Sequence, residues 1–119
     1  MSVLFIEYPK CGTCQKAKKW LLQNNIEFID RHILEDTPTA DELREYIKKS
    51  GMPVKKFFNT SGLLYKSMGL KDRLADMSED EMIELLSENG MLIKRPVIAG
   101  DNFAYAGFKD DVYKELFLG

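Results

Sequence analysis

The chain has 119 residues, 45% of them hydrophobic and 30% charged, with a formal net charge of −2. That is one domain with enough apolar residues for one core, and it excludes a disordered chain. The slightly acidic balance argues against a broad footprint for nucleic acid, and no apolar run approaches the roughly 20 residues that span a bilayer.

The first stretch, "MSVLFIEYPK", lacks a basic start followed by a long apolar region, so no secretion signal is expected and the cytoplasm is the expected compartment. "VLFIEY" (3–8) reads as a buried strand. Pro9 to Gly12 reads as a loop. A helix is expected from Cys11 to Asn25, burying Ala17, Trp20 and Leu21 while Lys16, Lys18 and Lys19 reach water. "IEFID" (26–30) alternates as a half-buried strand does. The next helix announces itself by Thr39 and Glu42 at capping-box spacing, with Ser50 and Gly51 at its end. "VKKFFNTSG" (54–62) is too short and mixed to assign, and "LLYKSMGLKDRLADM" fits one or two short helices. "SEDEMIELLSENG" has a second capping box, Ser78 with Glu81. Met77 and Met82 are spaced as a hydrophobic staple, and Gly90 stands at the expected stop.

"MLIKRPVIA" (91–99) reads as a strand interrupted by Pro96, which belongs at an edge, a bulge or a strand start because it cannot donate to a ladder. "GDN" then turns the chain into a hairpin partner, "FAYAG" (103–107), and "KDDVYKELF" closes as a helix burying Val112, Tyr113, Leu116 and Phe117. The order is βαβ, a helical middle, then ββα. The expected fold is α/β: a mixed sheet covered by helices, in a single domain over 1–119 with a helical insertion at about 39–90.

Cys11 and Cys14 are the two cysteines of the chain. Four uses are open for them: a staple, a metal clip, a catalytic pair or a redox sensor. They also fit as small buried apolar residues. A staple across two residues removes little chain entropy. A structural zinc site takes four ligands, and besides the pair there is one histidine, His32, so no metal is expected. Redox chemistry has the better physical basis. The first N–H groups of a helix lack intrahelical partners and, with the dipole, favour an anion such as a thiolate. Cys11 at the first turn is the expected nucleophile and Cys14, one turn in, the expected resolver, the two closing a disulfide in the oxidised form. Gly12 and Thr13 are small and let a substrate approach; Lys10 and Lys16 add positive charge. If Pro96 is cis, Arg95 projects toward an anionic sulfur. Asn59, Thr60 and Ser61 fit either a substrate contact or a local turn. Lys94 fits a solvated lysine, and His32 a surface or capping residue.

"YPKCGTCQKAKKWL", "FFNTSG", the helix before "GMLIKRPVI" and the closing "GF" together resemble the arsenate reductase (ArsC)/Spx family of thioredoxin-fold proteins, over nearly the full length. The resemblance implies a thioredoxin-like sheet with a helical insertion between its halves. It implies that Cys11 is the catalytic cysteine and that Arg95 precedes a cis-proline, Pro96. Arsenate reductases of the family use further arginines for the oxyanion. Here Asn59 stands where one is expected and "FAYAGF" carries none, so Arg95 is the one left of that set. The Spx branch is similar in its C-x-x-C switch and implies binding to the C-terminal domain of the RNA polymerase α-subunit. Its docking glycine aligns with Pro53 here.

The implied function is a thiol–disulfide oxidoreductase acting on a small thiol or disulfide. It has no bound cofactor and is served by an external thiol reductant, glutathione/glutaredoxin or thioredoxin. The alternatives are a redox-sensing regulator that binds that polymerase domain, and an arsenate reductase. Direct contact with nucleic acid or membrane is not expected.

Overall fold

Strand β1 (Leu4–Glu7) lies inside a four-stranded sheet whose order is β2-β1-β3-β4. It is seen in a computed structural model that describes residues 3–119. β1 runs parallel to β2 (Ile29–His32) and antiparallel to β3 (Val97–Ala99), which runs antiparallel to β4 (Ala104–Ala106). This is the expected mixed sheet.

The period-2 pattern of the strands divides the core in two. Phe5 and its partner Ile98 face one side, where they pack with Ala17, Trp20 and Leu21 of helix α1 (Gly12–Gln23) and with Tyr113 of helix α6 (Asp110–Leu118). Trp20 and Tyr113 meet edge to face at 5.5 Å. Ile6, Val97 and Ala99 face the other side. There they meet helices α2 (Ala40–Ser50), α3 (Leu63–Ser67), α4 (Leu70–Arg73) and α5 (Glu79–Glu88), all between β2 and β3 in the chain.

Both capping boxes form. Thr39 Oγ1 accepts from the Glu42 N–H at 3.1 Å and Ser78 Oγ from the Glu81 N–H at 3.1 Å, with each glutamate reaching back to the cap N–H. Glu42 also receives both ends of the Arg31 guanidinium, at 2.7 and 2.9 Å, tying α2 to the edge strand β2. Gly51 ends α2 at φ 68°, the left-handed conformation that favours glycine.

Three expectations are corrected. The second strand is not 26–30 but Ile29–His32. The Ile26 N–H bonds to the Leu21 carbonyl at 2.9 Å, closing off α1, and the ladder begins only where the Ile29 N–H reaches the Val3 carbonyl at 2.8 Å. The strand expected over 91–99 shrinks to Val97–Ala99, because Ile93 pairs instead with Phe58 in an isolated bridge. Gly90 is not the helix stop. Asn89 caps α5, and Gly90 opens a 3-10 turn where a Cβ would stand 2.7 Å from the Ile33 carbonyl oxygen.

Candidate active site

Helix α1 begins immediately after Cys11, whose backbone is extended and whose Sγ serves as the N-cap. The Sγ accepts from the Cys14 N–H at 3.3 Å, so one of the otherwise orphan donors of the first turn points at the sulfur. Such a donor, with the positive end of the helix dipole, stabilises negative charge there. Gly12 and Thr13 follow on the exposed side, and a Cβ on Gly12 would meet nothing within 4 Å, which leaves one flank of the sulfur open.

The two cysteines differ sharply in setting. Cys11 is half-buried; Cys14 is fully buried. Burial pushes the Cys14 thiol up to about 12, and the Cys11 sulfur adds to the rise, while the Tyr8 backbone and the Arg95 guanidinium pull the other way. Both are free thiols in this structure. Tyr113 is also fully buried; its hydroxyl has no partner, and burial together with the Cys14 side chain pushes that hydroxyl up.

Cys11 opens into a cavity of about 420 Å³ lined by Thr13, Asn59, Ser61, Lys94, Arg95 and Lys109, with Tyr105, Gly107 and Phe108 completing the wall. The convergence has an identifiable cause. The Asn59 N–H bonds to the Leu92 carbonyl and the Lys94 N–H to the Phe57 carbonyl, both at 2.7 Å, so the segment before β3 is clamped to the one carrying Asn59. Asn59 accepts from Ser61 Oγ at 3.3 Å and from the Gly62 N–H through its carbonyl at 3.1 Å. It therefore forms a local turn and lines the cavity at once.

The Arg95–Pro96 bond is cis. Pro96 is buried and stands just before the interior strand β3, not on an edge; its carbonyl accepts from the Gly107 N–H at 2.8 Å. The Arg95 guanidinium carbon lies 5.5 Å from the Tyr8 ring centroid. Nη1 makes two long bonds, at 3.4 Å, to the Met91 and Ile93 carbonyls, while the buried Nε has no partner. No carboxylate of the described residues pairs with Arg95, so its remaining donors are available to an anion at Cys11.

Of the residues singled out in the sequence, Cys11, Thr13, Asn59 and Arg95 line one cavity, with Cys14 buried behind Cys11 and Pro96 buried behind Arg95. Lys10, Lys16 and Gly12 are exposed and do not line it. Lys94 is exposed, yet it is more than a solvated lysine: its stem crosses Gly107, where a Cβ would stand 2.9 Å from Lys94 Cε. Sequence reasoning missed Tyr8, Tyr105, Phe108 and Lys109 as site residues. The one available signal was the "GF" at 107–108, whose following lysine is Lys109. His32 lies apart from the cavity; its Nδ1 accepts from the Leu34 and Glu35 N–H groups at 3.1 and 3.2 Å, as a capping residue does. Among the described residues, no three His, Cys, Asp or Glu side chains converge to hold a metal, and no helix is long and apolar enough to cross a membrane.

The model of the ArsC family matches residues 6–116. The chain belongs to the ArsC family. A relative, the uncharacterised protein YusI of Bacillus subtilis (strain 168), is 50% identical over 97% of this chain and 98% of its own. The regulatory protein MgsR of the same organism is 31% identical over 87% of this chain and 81% of its own. Among solved structures, a putative ArsC family related protein from Bacteroides fragilis superposes with a TM-score of 0.94 at 52% identity, covering 98% of both chains. A possible arsenate reductase from Streptococcus mutans UA159 does so at 0.87 and 40% identity, covering 96% of both. The ArsC fold, a thioredoxin-like mixed sheet, is therefore the fold of this chain.

Proposed function

We propose that this ArsC-family protein is a thiol–disulfide oxidoreductase in which Cys11 is the nucleophile and Cys14 the resolving thiol. The observation that carries the reading is the Cys11 Sγ at the N-cap of α1, opening into a cavity that also holds Arg95. The Cys11 thiolate attacks one sulfur of a substrate disulfide. A Cys11–substrate disulfide forms, and the other half leaves as a thiolate that takes a proton from water. Cys14 then loses its proton and attacks the Cys11 sulfur. The Cys11–Cys14 disulfide forms and the second half of the substrate leaves as a thiolate that takes up a proton in place of the one Cys14 released, so two electrons have passed to the substrate. An external thiol, of the glutathione/glutaredoxin or thioredoxin class, returns them; a cytoplasmic setting supplies both.

The settings of the two thiols suit that order. In the free protein, burial holds Cys14 protonated and the Cys11 sulfur adds to the effect. Once Cys11 is bound in the mixed disulfide its charge is gone, and the Arg95 guanidinium, which favours a Cys14 thiolate, is opposed by burial alone. Arg95 and Asn59 are placed to bind an anionic or polar group next to the scissile bond.

The test is turnover of a small disulfide, followed as NADPH consumption with thioredoxin reductase and thioredoxin or, separately, with glutathione reductase, glutathione and glutaredoxin. Many turnovers per chain, abolished in Cys11→Ser, are expected. Activity unchanged in that variant refutes the reading.

A second reading, a redox-responsive regulator binding the C-terminal domain of the RNA polymerase α-subunit, draws on the likeness to the regulatory protein MgsR. Capture of that domain by the oxidised protein and not by the reduced one favours it; no capture in either state counts against it. Arsenate reduction draws on the likeness to the possible arsenate reductase from S. mutans and on three cavity cations, Lys94, Arg95 and Lys109. An arsenate titration that leaves the Cys11 NMR signals unmoved counts against it.

A further inference from the structure

A second cavity, about 460 Å³, adjoins the one at Cys11 and shares Lys94, Tyr105 and Lys109 with it. It extends to Lys55 and Lys56, on a 3-10 turn (Val54–Phe57), with Met52 and Phe58 as apolar wall. The chain carries 19 carboxylate side chains against 17 Lys and Arg, yet none of the 19 lines either cavity. Five cations do: Lys55, Lys56, Lys94, Arg95 and Lys109. None of these five has a carboxylate partner among the described residues. An excess of acid overall and its complete exclusion from one groove make a local positive field that attracts an anionic partner.

We propose that the joined cavities are a docking groove for an acidic segment of a substrate protein, the segment that flanks the cysteine disulfide attacked by Cys11; this rests on the thiol–disulfide reading. A small anion at Cys11 is served by Arg95, Lys94 and Lys109 and leaves Lys55 and Lys56 unused. A chain passing from Cys11 into the second cavity meets all five. Nucleic acid offers the charge but no sulfur for Cys11 to attack. A polypeptide offers carboxylates, a disulfide and apolar side chains for the Met52–Phe58 wall. The groove thus selects among protein disulfides by the charge next to them.

The test uses the full chain and three peptides of equal length. Each carries one cysteine as a mixed disulfide with 2-mercaptoethanol, flanked by glutamates, glutamines or lysines. At low ionic strength kcat/KM is expected to fall from the acidic to the neutral to the basic peptide, by about tenfold at each step, a span typical of charge steering. Adding salt is expected to compress it. Lys55→Glu with Lys56→Glu is expected to lower kcat/KM for the acidic peptide to that of the neutral one, removing the preference. Lys19→Glu with Lys71→Glu, the same change of net charge on exposed sites outside both cavities, is expected to leave the preference intact. Equal rates for the three peptides overturn the docking groove and leave the oxidoreductase reading standing. Glutathione disulfide reacting as well as the acidic peptide overturns the assignment to a protein segment.

If no peptide turns over, the oxidoreductase reading fails instead, and the groove is judged on binding alone. The glutamate peptide with serine for cysteine, labelled for fluorescence anisotropy, is then titrated against the wild type. Salt-sensitive binding, lost in the Lys55/Lys56 double variant, supports the groove. No binding, or tighter binding of a duplex DNA of equal charge, overturns it.

Discussion

The backbone N–H of Cys14 points at the Sγ of Cys11 from 3.3 Å while the Cys14 side chain is fully buried. One residue thus contributes to the pair twice, its main chain stabilising charge on the outer sulfur and its thiol waiting protonated beneath. The proposed roles need this asymmetry, and only Cys14 has the setting of a core residue.

Alkylation reads the asymmetry directly. A thiol pushed up to about 12 leaves about one molecule in 10⁴ as thiolate at pH 8, and burial removes access as well. Native protein treated with iodoacetamide at pH 8 is expected to gain one adduct, on Cys11, by peptide mass spectrometry. The second, on Cys14, is expected only in denaturant.

Tyr8 holds Arg95 by its ring face, with the guanidinium carbon 5.5 Å from the centroid. A cation–π contact of this kind is worth about 0.5–2 kcal/mol, so losing it is expected to reduce kcat/KM by about 2- to 30-fold. Tyr8→Leu is expected to show that loss and Tyr8→Phe to keep near-native activity, since the ring and not the hydroxyl makes the contact. Equal losses in both variants would contradict the assignment.

Acid stability follows from Arg31 and Glu42. The Arg31 guanidinium beside it holds the Glu42 carboxyl at about 2, below its ordinary 4.5. A carboxyl depressed in the folded state contributes its full stabilisation above about 4.5 and loses it as the pH falls toward 2. The group is partly exposed, so solvent screening limits the contribution to about 1 kcal/mol. Glu42→Gln keeps an oxygen for the Thr39 N–H but not the charge. Urea midpoints at pH 6 and pH 3 are expected to differ more in the wild type than in this variant.

Gly90 is required for close approach rather than for an unusual backbone angle. A Cβ there stands 2.7 Å from the Ile33 carbonyl and 3.0 Å from Leu34 Cδ2. Gly90→Ala is expected to cost about 1–3 kcal/mol in urea unfolding. Alkylation of Cys11 in the native state is expected to stay unchanged, because Gly90 does not line the cavity.

The parts legible in the sequence are those whose determinants are local. Thr39 with Glu42 and Ser78 with Glu81 fix helix starts within four residues of chain, and both form as read. The C-x-x-C after an apolar run places Cys11 at a helix start in the same way. Errors arose where a distant partner decided. Ile93 carries the pattern of a strand continuing into β3, but Phe58 claims it, and that bridge also brings Asn59 to Arg95. Phe28 and Ile26 alternate as strand residues and do pack inward, yet the hydrogen bond from Ile26 back to Leu21 keeps them out of the ladder. Tyr105 joined the site with no local signal and Lys109 with only the neighbouring "GF", because the antiparallel return of β4 and the start of α6 bring them to the cavity at Cys11. Tyr8 reads as the last residue of a strand and acts as the platform under Arg95.

The most direct measurement of the division of labour between Cys11 and Cys14 is intact-mass analysis after brief exposure to glutathione disulfide. Cys14→Ser is expected to trap one glutathionyl adduct on Cys11. The wild type is expected to finish with no adduct and two hydrogens fewer, as the Cys11–Cys14 disulfide, and Cys11→Ser to remain unmodified. An adduct on Cys14 in Cys11→Ser at the same rate, or a wild type that never closes the internal disulfide, would contradict the roles given to the pair.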